Sequence, residues 1–395
     1  LLFGPETYTL FALTENQRRV AAALDAFPLA DKGDRFDLTL ELDSLADSRY
    51  PGAFEAILPS VYGSLPTLAF NQSNALNTAL LQRLWIQRSA ANAAALPVPS
   101  DPGLKGGSKT VVEPETGKWS LFTDGNGIFS TTNSAGILQD YRSQGGGVSV
   151  GGAYQWSDRL ATGVYTGYQG LKADFDQRGR LSDDAVRFGG FGSLALGNWY
   201  VNGLVGGAWH DYDIDRGIAF GSVDRKTSSR TDAGELDLAL SVGRNFHVGN
   251  FTYGVNTGFQ YTYLGVQGFQ ERGAGALDLK VGDYDSSSLL YSLGGQVAYR
   301  WKFGSQCAVT PSLSASWQHE FLQDPYAIGA SFDSGGPSSA FTFKSSRPQQ
   351  DYLVGGAALG FELGTKWNAM VSWNVVSGGS DLVSQNVYLS LGMKF

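Results

Sequence analysis

Residues 235–248 read ELDLALSVGRNFHV, and this stretch decides the fold class. One face of the alternation is apolar apart from Arg244 and carries Leu236, Leu238, Leu240, Val242, Phe246 and Val248. The other face carries Glu235, Asp237, Ala239, Ser241, Gly243, Asn245 and His247. Because successive side chains of a β-strand point to opposite faces, this period of two predicts a strand with one apolar and one polar side.

The same alternation recurs throughout the chain from Trp119 to Phe395. It is clear over 289–302, 308–321 and 387–395. We count twelve runs of about ten or more residues, which is enough for a tilted strand to cross a bilayer. The runs are predicted to start near Trp119, Ser143, Leu160, Ala185, Trp199, Gly234, Phe251, Ser287, Ala308, Asp351, Thr365 and Ser384.

Short and long connections alternate between these runs. The short ones lie at Ser157–Asp158, Gly197–Asn198, Gly249–Asn250, Gly304–Ser305 and Gly364. The long polar ones are predicted at 131–142, 173–184, 213–229, 268–283, 324–350 and 378–383. Outer-membrane barrels have short periplasmic turns and longer external loops. The sequence therefore predicts an all-β transmembrane fold, a 12-stranded antiparallel outer-membrane β-barrel.

A soluble β-sandwich would also show alternation, so aromatic placement has to separate the two folds. The pairs Trp199 and Trp209, Phe251 and Tyr263, and Trp367 and Trp373 bracket strands, as the aromatic girdles of a membrane barrel do. The polar face is rich in glycine and serine, which suits a lumen. A sheet in lipid must also close, because an open edge would leave amides without partners.

Composition excludes several other classes of protein. Of 395 residues, 52 are glycine, near twice the usual share of about 7%. A single cysteine excludes a disulfide scaffold and a Cys-based zinc site. The formal net charge of −8 gives no electrostatic reason to expect nucleic acid as a partner. The chain opens LLFGPETYTL without Met, so we expect a processed product or a fragment.

Residues 14–92 have few glycines and show helical periodicity instead. Thr14 and Gln17 have the spacing of a capping box. Ser64 followed by Pro66 predicts the start of a second helix, over 64–92; its 26 residues from Ser64 to Ser89 would span roughly 39 Å at about 1.5 Å per residue. The stretch 36–45 is compatible with either a strand or a short helix. Residues 94–118 are rich in proline and predict a linker.

Several motifs together resemble the C-terminal translocator of classical (type Va) autotransporters of Gram-negative bacteria. In chain order they are LTENQRRVAAALDAF at 13–27, AFEAILPSVYGSLPTLAFNQSNALNTALLQRL at 53–84, WSLFTDGNGIF at 119–129, AWHDYDIDR at 208–216, GFQERGAGALDLKV at 268–281, SWQHEF at 316–321 and YLSLGMKF at 388–395. The resemblance covers nearly the whole chain, and the motifs occur in the family's order.

This resemblance implies a function and a division of the chain. Residues 1–12 would be a possible remnant of the passenger, 13–93 a helical junction, 94–118 the linker and 119–395 the barrel. The barrel would carry its own N-terminal passenger to the cell surface and remain in the outer membrane as an anchor. The helix 64–92 would thread the lumen and plug the pore.

The resemblance also implies partners and residues that act in assembly. Outer-membrane lipid, periplasmic chaperones and the barrel-assembly machinery would be partners of a monomeric barrel. The machinery would read the final strand, where Leu389, Leu391, Met393 and Phe395 lie at alternate positions. In the lumen, we expect Arg83 and Arg88 of the helix to meet carboxylates such as Glu235, Asp237 and Glu320, because desolvated charge requires a partner.

Catalytic and cofactor sites have little support in the sequence. GxSxG and HExxH motifs do not occur, and the three histidines fall in separate runs. Some relatives of this kind cleave themselves at an asparagine in the lumen helix. Here Asn71, Asn74 and Asn77 are not adjacent, so we interpret them as hydrogen-bonding the wall. We expect no enzyme activity, cofactor or metal. The alternatives are a general outer-membrane pore, or the anchor of a surface adhesin or enzyme whose passenger is missing.

Overall fold

The computed structural model describes residues 5–27, 32–94, 118–132, 140–176, 179–304, 307–322, 324–345, 349–378 and 382–395. Within these residues the chain forms a β-barrel preceded by four helices. Nearly all of the predicted linker 94–118, the centres of the predicted loops 131–142 and 378–383, and Ser305 lie outside the described residues.

Twelve long antiparallel strands form the barrel, each hydrogen-bonded to the next along the chain. They are β1 (Trp119–Thr132), β2 (Tyr141–Gln155), β3 (Leu160–Phe175), β4 (Gly179–Leu196), β5 (Trp199–Phe220), β6 (Val223–Val248), β7 (Phe251–Val266), β10 (Tyr284–Tyr299), β12 (Cys307–Glu320), β15 (Asp351–Leu363), β16 (Trp367–Gly378) and β17 (Leu382–Lys394). The last strand pairs with the first, from Ser120 opposite Lys394 to Thr132 opposite Leu382, and so closes the barrel. The prediction of a 12-stranded antiparallel barrel is confirmed.

Five short strands complete the sheet structure. They are β8 (Phe269–Gln270), β9 (Leu279–Val281), β11 (Trp301–Phe303), β13 (Ala327–Phe332) and β14 (Ala340–Lys344). The strand β11 extends the β10–β12 ladder, whereas β14, β13, β9 and β8 form a separate four-stranded sheet. That sheet is built from the predicted loops 268–283 and 324–350, so both carry regular structure rather than being only polar loops.

The outer face of the barrel changes from apolar to charged at Trp209. Along β5 the exposed side chains are Trp199, Val205 and Trp209, and then Asp211 and Asp213. Ten residues of strand span about 33 Å, which at a tilt of about 40° covers about 25 Å of membrane thickness. This matches the apolar band of an outer-membrane barrel, and the strand beyond Trp209 therefore projects from the membrane.

Two strands are much longer than predicted. β6 begins at Val223 instead of Gly234, and β5 continues to Phe220, so the predicted loop 213–229 is mainly a hairpin. Gly221 turns this hairpin with a φ of +54°, a conformation that glycine adopts at low cost. The alternation continues past the membrane here because the inward side chains pack against the helices described next. The predicted loop 173–184 is likewise mostly strand, since β3 and β4 extend into it.

In the described part of the chain, four α-helices precede the barrel, namely α1 (Glu15–Asp25), α2 (Asp34–Asp43), α3 (Tyr50–Ile57) and α4 (Leu65–Ala94). Thr14 and Gln17 form the capping box predicted for α1. The stretch 36–45, for which the sequence leaves helix and strand open, belongs mainly to α2. Of the helices within the described residues, none is both long enough and apolar enough to span a membrane.

Helices α1 to α3 pack onto the loop end of the barrel, and we call this unit the cap. Its core joins Val20, Phe54 and Ile57 of the helices to Ile218 of the β5–β6 hairpin and Phe343 of the short sheet, all of them fully buried. Tyr8 lies in the same core and its backbone amide bonds Asp25. Residues on both sides of the boundary predicted between 12 and 13 therefore share this core, and the origin of residues 1–12 as a remnant of a passenger stays a prediction.

The helix α4 occupies the lumen of the barrel. It contacts β1, β6, β7, β10, β12, β16 and β17 along its length. Its first residues meet the cap, and Arg88 lies near the turn end of the barrel, within hydrogen-bond distance of β4 and β5. The predicted lumen helix over 64–92 thus corresponds to α4.

The helix-filled lumen as candidate functional site

Two polar side chains of α4 match two carboxylates of β6. Ser73 Oγ lies 2.7 Å from Glu235 Oε1, and Asn77 Nδ2 donates to Asp237 Oδ2 at 2.6 Å. Four helical residues rise about 6 Å, and two strand residues advance about 6.6 Å, so the spacings of helix and strand agree. The helix therefore has a defined position beside this strand.

A buried ionic network surrounds the Glu235 carboxylate. Arg187 Nη1 lies 2.8 Å from Glu235, and His210 Nδ1 lies 3.0 Å from Asp183. The helix joins the network through Gln72, whose amide donates to Asp183 at 3.2 Å. Because charges buried away from water are costly without partners, each member of this network constrains the others.

Two arginines hold the deeper part of α4. Arg83 Nη1 donates to Asp124 Oδ2 of β1 at 3.2 Å, and its guanidinium lies 3.7 Å from the ring centroid of Phe122. Arg88 Nη2 donates to Ser193 Oγ at 2.7 Å and to Asn202 Oδ1 at 2.8 Å. A planar guanidinium suits such combined stacking and hydrogen bonding.

The pairings of these arginines differ from the sequence-based expectation. The sequence predicts that Arg83 and Arg88 meet Glu235, Asp237 or Glu320, but their partners are the groups of β1, β4 and β5 named above. The two arginines and the two carboxylates of β6 lie at different depths along the lumen axis. The helix reaches the two carboxylates of β6 through residues 73 and 77, and position 83 lies about 9 Å further along the axis at 1.5 Å per residue.

Glu320 belongs to the wall near the loop end. Its carboxylate accepts hydrogen bonds from Ser288 Oγ at 2.5 Å, the Leu289 amide at 2.8 Å and the Leu322 amide at 2.9 Å. These bonds join β10 and β12 where the ladder ends. In this structure Glu320 therefore positions wall strands, whereas Glu235 and Asp237 contact α4 directly.

A cavity of about 120 Å³ lies between α4 and the β7, β10 and β12 side of the wall. Its lining is mixed and includes amide side chains, among them Asn74, Gln82, Asn256, Gln296 and Gln318. A cavity of this size is large enough to admit water beside these amides. The helix is thus bound tightly to β1 and β4–β6 and is separated by this cavity from part of the opposite wall.

The segment that enters the lumen is held at the barrel mouth by Arg216 and Glu271. The two side chains form a bidentate pair, at 2.8 and 2.7 Å, and Arg216 Nη1 also donates to the Ile57 carbonyl at 3.0 Å. Tyr62 OH donates to Glu271 Oε1 at 2.5 Å. All of these side chains lie beyond the girdle position of Trp209.

The ionisation of Arg216 and of Tyr62 is set by burial and by the charge of Glu271. Burial alone would lower the pKa of Arg216, but attraction to Glu271 outweighs it and raises that pKa above its ordinary value. Burial, followed by the charge of Glu271, raises the pKa of Tyr62 well above its ordinary value. Arg216 therefore remains a cation and Tyr62 a hydrogen-bond donor at any physiological pH.

The proposed insertion signal lies on the lipid side of the final strand. Leu389, Leu391 and Phe395 are exposed on the outer face, and Met393 lies on the same face with partial exposure. The amide of Phe395 donates to the Trp119 carbonyl at 3.0 Å, so the last residue is still part of the closing ladder.

Some of the site residues escape sequence-based prediction because they fall in predicted loops. Asp183 lies in a segment predicted as a polar loop, yet it is buried in the lumen network. Arg216 and Glu271 also lie in segments predicted as loops. In such segments, alternation does not predict which side of the barrel wall a side chain faces. Asp124 and Arg187 could have been found, since the alternation of their runs places both on the lumen face.

Comparison with a known family supports the architecture. A family model described as the autotransporter beta-domain matches residues 121–374, well over half of the chain. The structure is similar to the translocator domain of autotransporter NalP from Neisseria meningitidis, with a TM-score of 0.56 and 15% identity over 81% of this chain and 98% of that one. It is also similar to the beta domain of the Bordetella autotransporter BrkA, with a TM-score of 0.53 and 16% identity over 70% and 100%. At these identities, the structural likeness concerns the fold alone.

Two curated relatives are longer than this chain. Esterase EstA of Pseudomonas aeruginosa and esterase EstA of Pseudomonas putida are each 25% identical over 298 residues. The match covers 71% of this chain but 43% of either relative. The chain thus spans less than half of the length of these esterases.

Proposed function

Because this chain belongs to the autotransporter beta-domain family, the outer-membrane translocators of type V secretion, we propose that it carries its own N-terminal passenger through the barrel to the cell surface. The barrel is located in the outer membrane, as both the sequence and the family indicate. Its short turns then face the periplasm and its long loops the exterior.

The observation that carries this proposal is the path of the chain that precedes the barrel. The cap lies on the loop end, α4 runs down the lumen, and the barrel follows. The chain that precedes the barrel thus passes through the plane of the membrane inside the barrel, as it would at the end of export. A polypeptide exported in this way would reach the surface joined to its own pore.

After export, α4 would remain as the plug and the barrel as the anchor. The hydrogen bonds of Ser73, Asn77, Arg83 and Arg88 to the wall support this state, because each would have to be replaced by water before the helix could move. A general pore is the alternative function, but a channel for solutes gains nothing from a helix held in its lumen by buried ion pairs.

The barrel and its lumen helix would act in transport and not in catalysis. The relatives named as esterases are more than twice as long as the matched region, so an enzyme activity in a protein of this kind would belong to the passenger. We propose no particular cargo. For assembly, we propose that periplasmic chaperones and the barrel-assembly machinery handle the barrel as a monomer, with the strand ending at Phe395 as the signal.

The test is surface display on intact cells. An epitope tag placed ahead of Leu1 should be removed by external protease, and a tag inserted between Gly335 and Gly336 should also be reached by antibody. A tag between Gly249 and Asn250 is the matched control and should be protected until the outer membrane is opened. Protection of the N-terminal tag, with the loop tag exposed, would reject transport of the preceding chain.

A further inference from the structure

The covalent tether does not fix where α4 stops along the lumen. Twenty-four residues separate the end of the helix at Ala94 from the start of β1 at Trp119. A chain of that length can extend to about 80 Å, well over twice the thickness of the apolar band. The position of the helix must therefore be set by contacts with the barrel.

We propose that the side chain of Tyr62, seated between Phe269, Glu271 and Ser229, is the stop that ends outward movement of the exported chain. Its phenol OH bonds Glu271 and lies 3.2 Å from Ser229 Oγ, and its ring meets that of Phe269 edge to face, with centroids 4.7 Å apart. Tyr62 is fully buried. We call the three receiving residues, with Arg216, the Tyr62 socket. The proposal rests on the export function proposed above.

Further donors from the barrel hold the main chain at the same point. Tyr284 OH donates to the Tyr62 carbonyl at 3.0 Å, and Tyr326 OH donates to the Gly63 carbonyl. Arg216 holds the Ile57 carbonyl. Each of these donors comes from a strand or loop outside the membrane, so a complete set of contacts forms only when this segment has reached the exterior.

On the side of the cavity, the lumen contacts select the position of α4 less sharply than the contacts with β1 and β6 do. The helix carries neutral polar side chains at Asn74, Thr78 and Gln82, four residues apart on one face beside the cavity. A slip of one turn outward would replace Asn74 by Thr78 opposite the same wall groups. The same slip would bring Pro66 to the place of Tyr62, and proline offers Glu271 no donor. A slip of one turn inward would bring Leu58 there instead.

Cross-linking can measure this position in the outer membranes of cells that make the whole chain. The amide of Asn74 donates to Gln318 Oε1 of β12 at 3.1 Å. In a Cys307→Ser background, Asn74→Cys with Gln318→Cys reports the observed position. Thr78→Cys with Gln318→Cys reports an outward slip of one turn. The measured quantity is the ratio of the second disulfide yield to the first, in folded barrel.

Tyr62→Ala should raise this ratio at least about tenfold, equivalent to about 1.4 kcal/mol. Tyr50→Ala is the matched control, because Tyr50 is an equally buried tyrosine of the cap that lies outside the socket; its ratio should stay at the wild-type value. Tyr284→Phe with Tyr326→Phe leaves the exported segment unchanged and should also raise the ratio, so the proposal remains testable if Tyr62→Ala does not fold.

Equal ratios in Tyr62→Ala, in the double phenylalanine variant and in the Tyr50→Ala control would overturn the stop. The N-terminal tag is followed in the same cells. An exposed tag with an unchanged ratio rejects the stop while leaving export intact. A protected tag in the otherwise unchanged chain rejects export itself.

Discussion

Arg83 Nη1 lies 3.2 Å from Asp124 Oδ2, and the two side chains, from the lumen helix and the first strand, are 7% and 3% exposed. This pair joins the lumen helix to the seam where the barrel closes, since β1 pairs with β17. Its burial makes the pair costly to break and so makes the plugged state sensitive to either residue.

Asp124→Asn should loosen the plug. The variant leaves the Arg83 cation buried without its partner, which costs about 3–5 kcal/mol in comparable pairs. We expect frequent channel openings in planar bilayers, whereas the wild-type protein stays closed. Adding Arg83→Gln should restore part of the closed state because the uncompensated charge is gone. Identical gating in the single variant and the wild type would show that the pair does not hold the helix.

A cavity in the core of the cap should destabilise the cap while the barrel stays folded. Phe54→Ala removes a fully buried ring and is expected to cost about 3–5 kcal/mol. Limited proteolysis of intact cells should then cut the cap, while the barrel keeps its heat-modifiable mobility on gels. Leu10→Ala is the control, because Leu10 is 72% exposed and its loss should change little. Resistance of Phe54→Ala to protease would contradict the packing described for α3.

Acid should weaken one contact between the cap and the hairpin. Hydrogen bonds from Arg225 hold the pKa of Asp34 below its ordinary value of 3.8. A lowered pKa in the folded state means that the contact stabilises the cap at neutral pH and is lost as the pH falls below that ordinary value. Hydrogen exchange in α2 should rise in this range, and Asp34→Asn should remove the pH dependence. Because Asp34 is half exposed, we expect a modest effect.

Deletion of Phe395 should sharply reduce the amount of folded barrel in the outer membrane. Phe395 is an exposed aromatic residue at the end of the alternating strand and is hydrogen-bonded to Trp119. Heat-modifiable barrel in isolated membranes is the readout. Phe395→Trp keeps an aromatic end and should assemble close to the wild-type level. Full assembly of the deletion variant would mean that the final residue is not part of the signal.

The barrel could be predicted from the sequence because each membrane strand is apolar on one side only. Leu236, Leu238 and Leu240 indicate the lipid face of β6, and that face is exposed in the structure. The same rule fails beyond Trp209, where Ile214 and Ile218 alternate with Asp213, Asp215 and Gly217 but pack against the cap instead of facing lipid. Alternation alone does not show whether the apolar side of a strand faces lipid outside the barrel or packs inward against the cap.

The partners in the lumen were harder to predict, for a different reason. The residue types on the helix and on the wall can be read from the sequence. The position of α4 along the lumen axis, relative to the wall strands, cannot. Ser73 and Asn77 were not identified as the residues that meet Glu235 and Asp237, and Arg83 was not matched to Asp124. Depth depends on contacts between residues far apart in the chain, such as Tyr62 with Glu271 and Arg83 with Asp124.

Single-channel conductance tests most directly whether α4 closes the lumen of a translocator. The whole chain and a variant lacking residues 1–92 are purified, checked for the heat-modifiable folded barrel, and inserted into planar bilayers. We predict that the whole chain stays mostly closed and that the shortened barrel shows large, stable openings, because a lumen of twelve strands without its helix is wide enough for water and ions. Equal conductance of the two folded barrels would contradict a plug formed by α4.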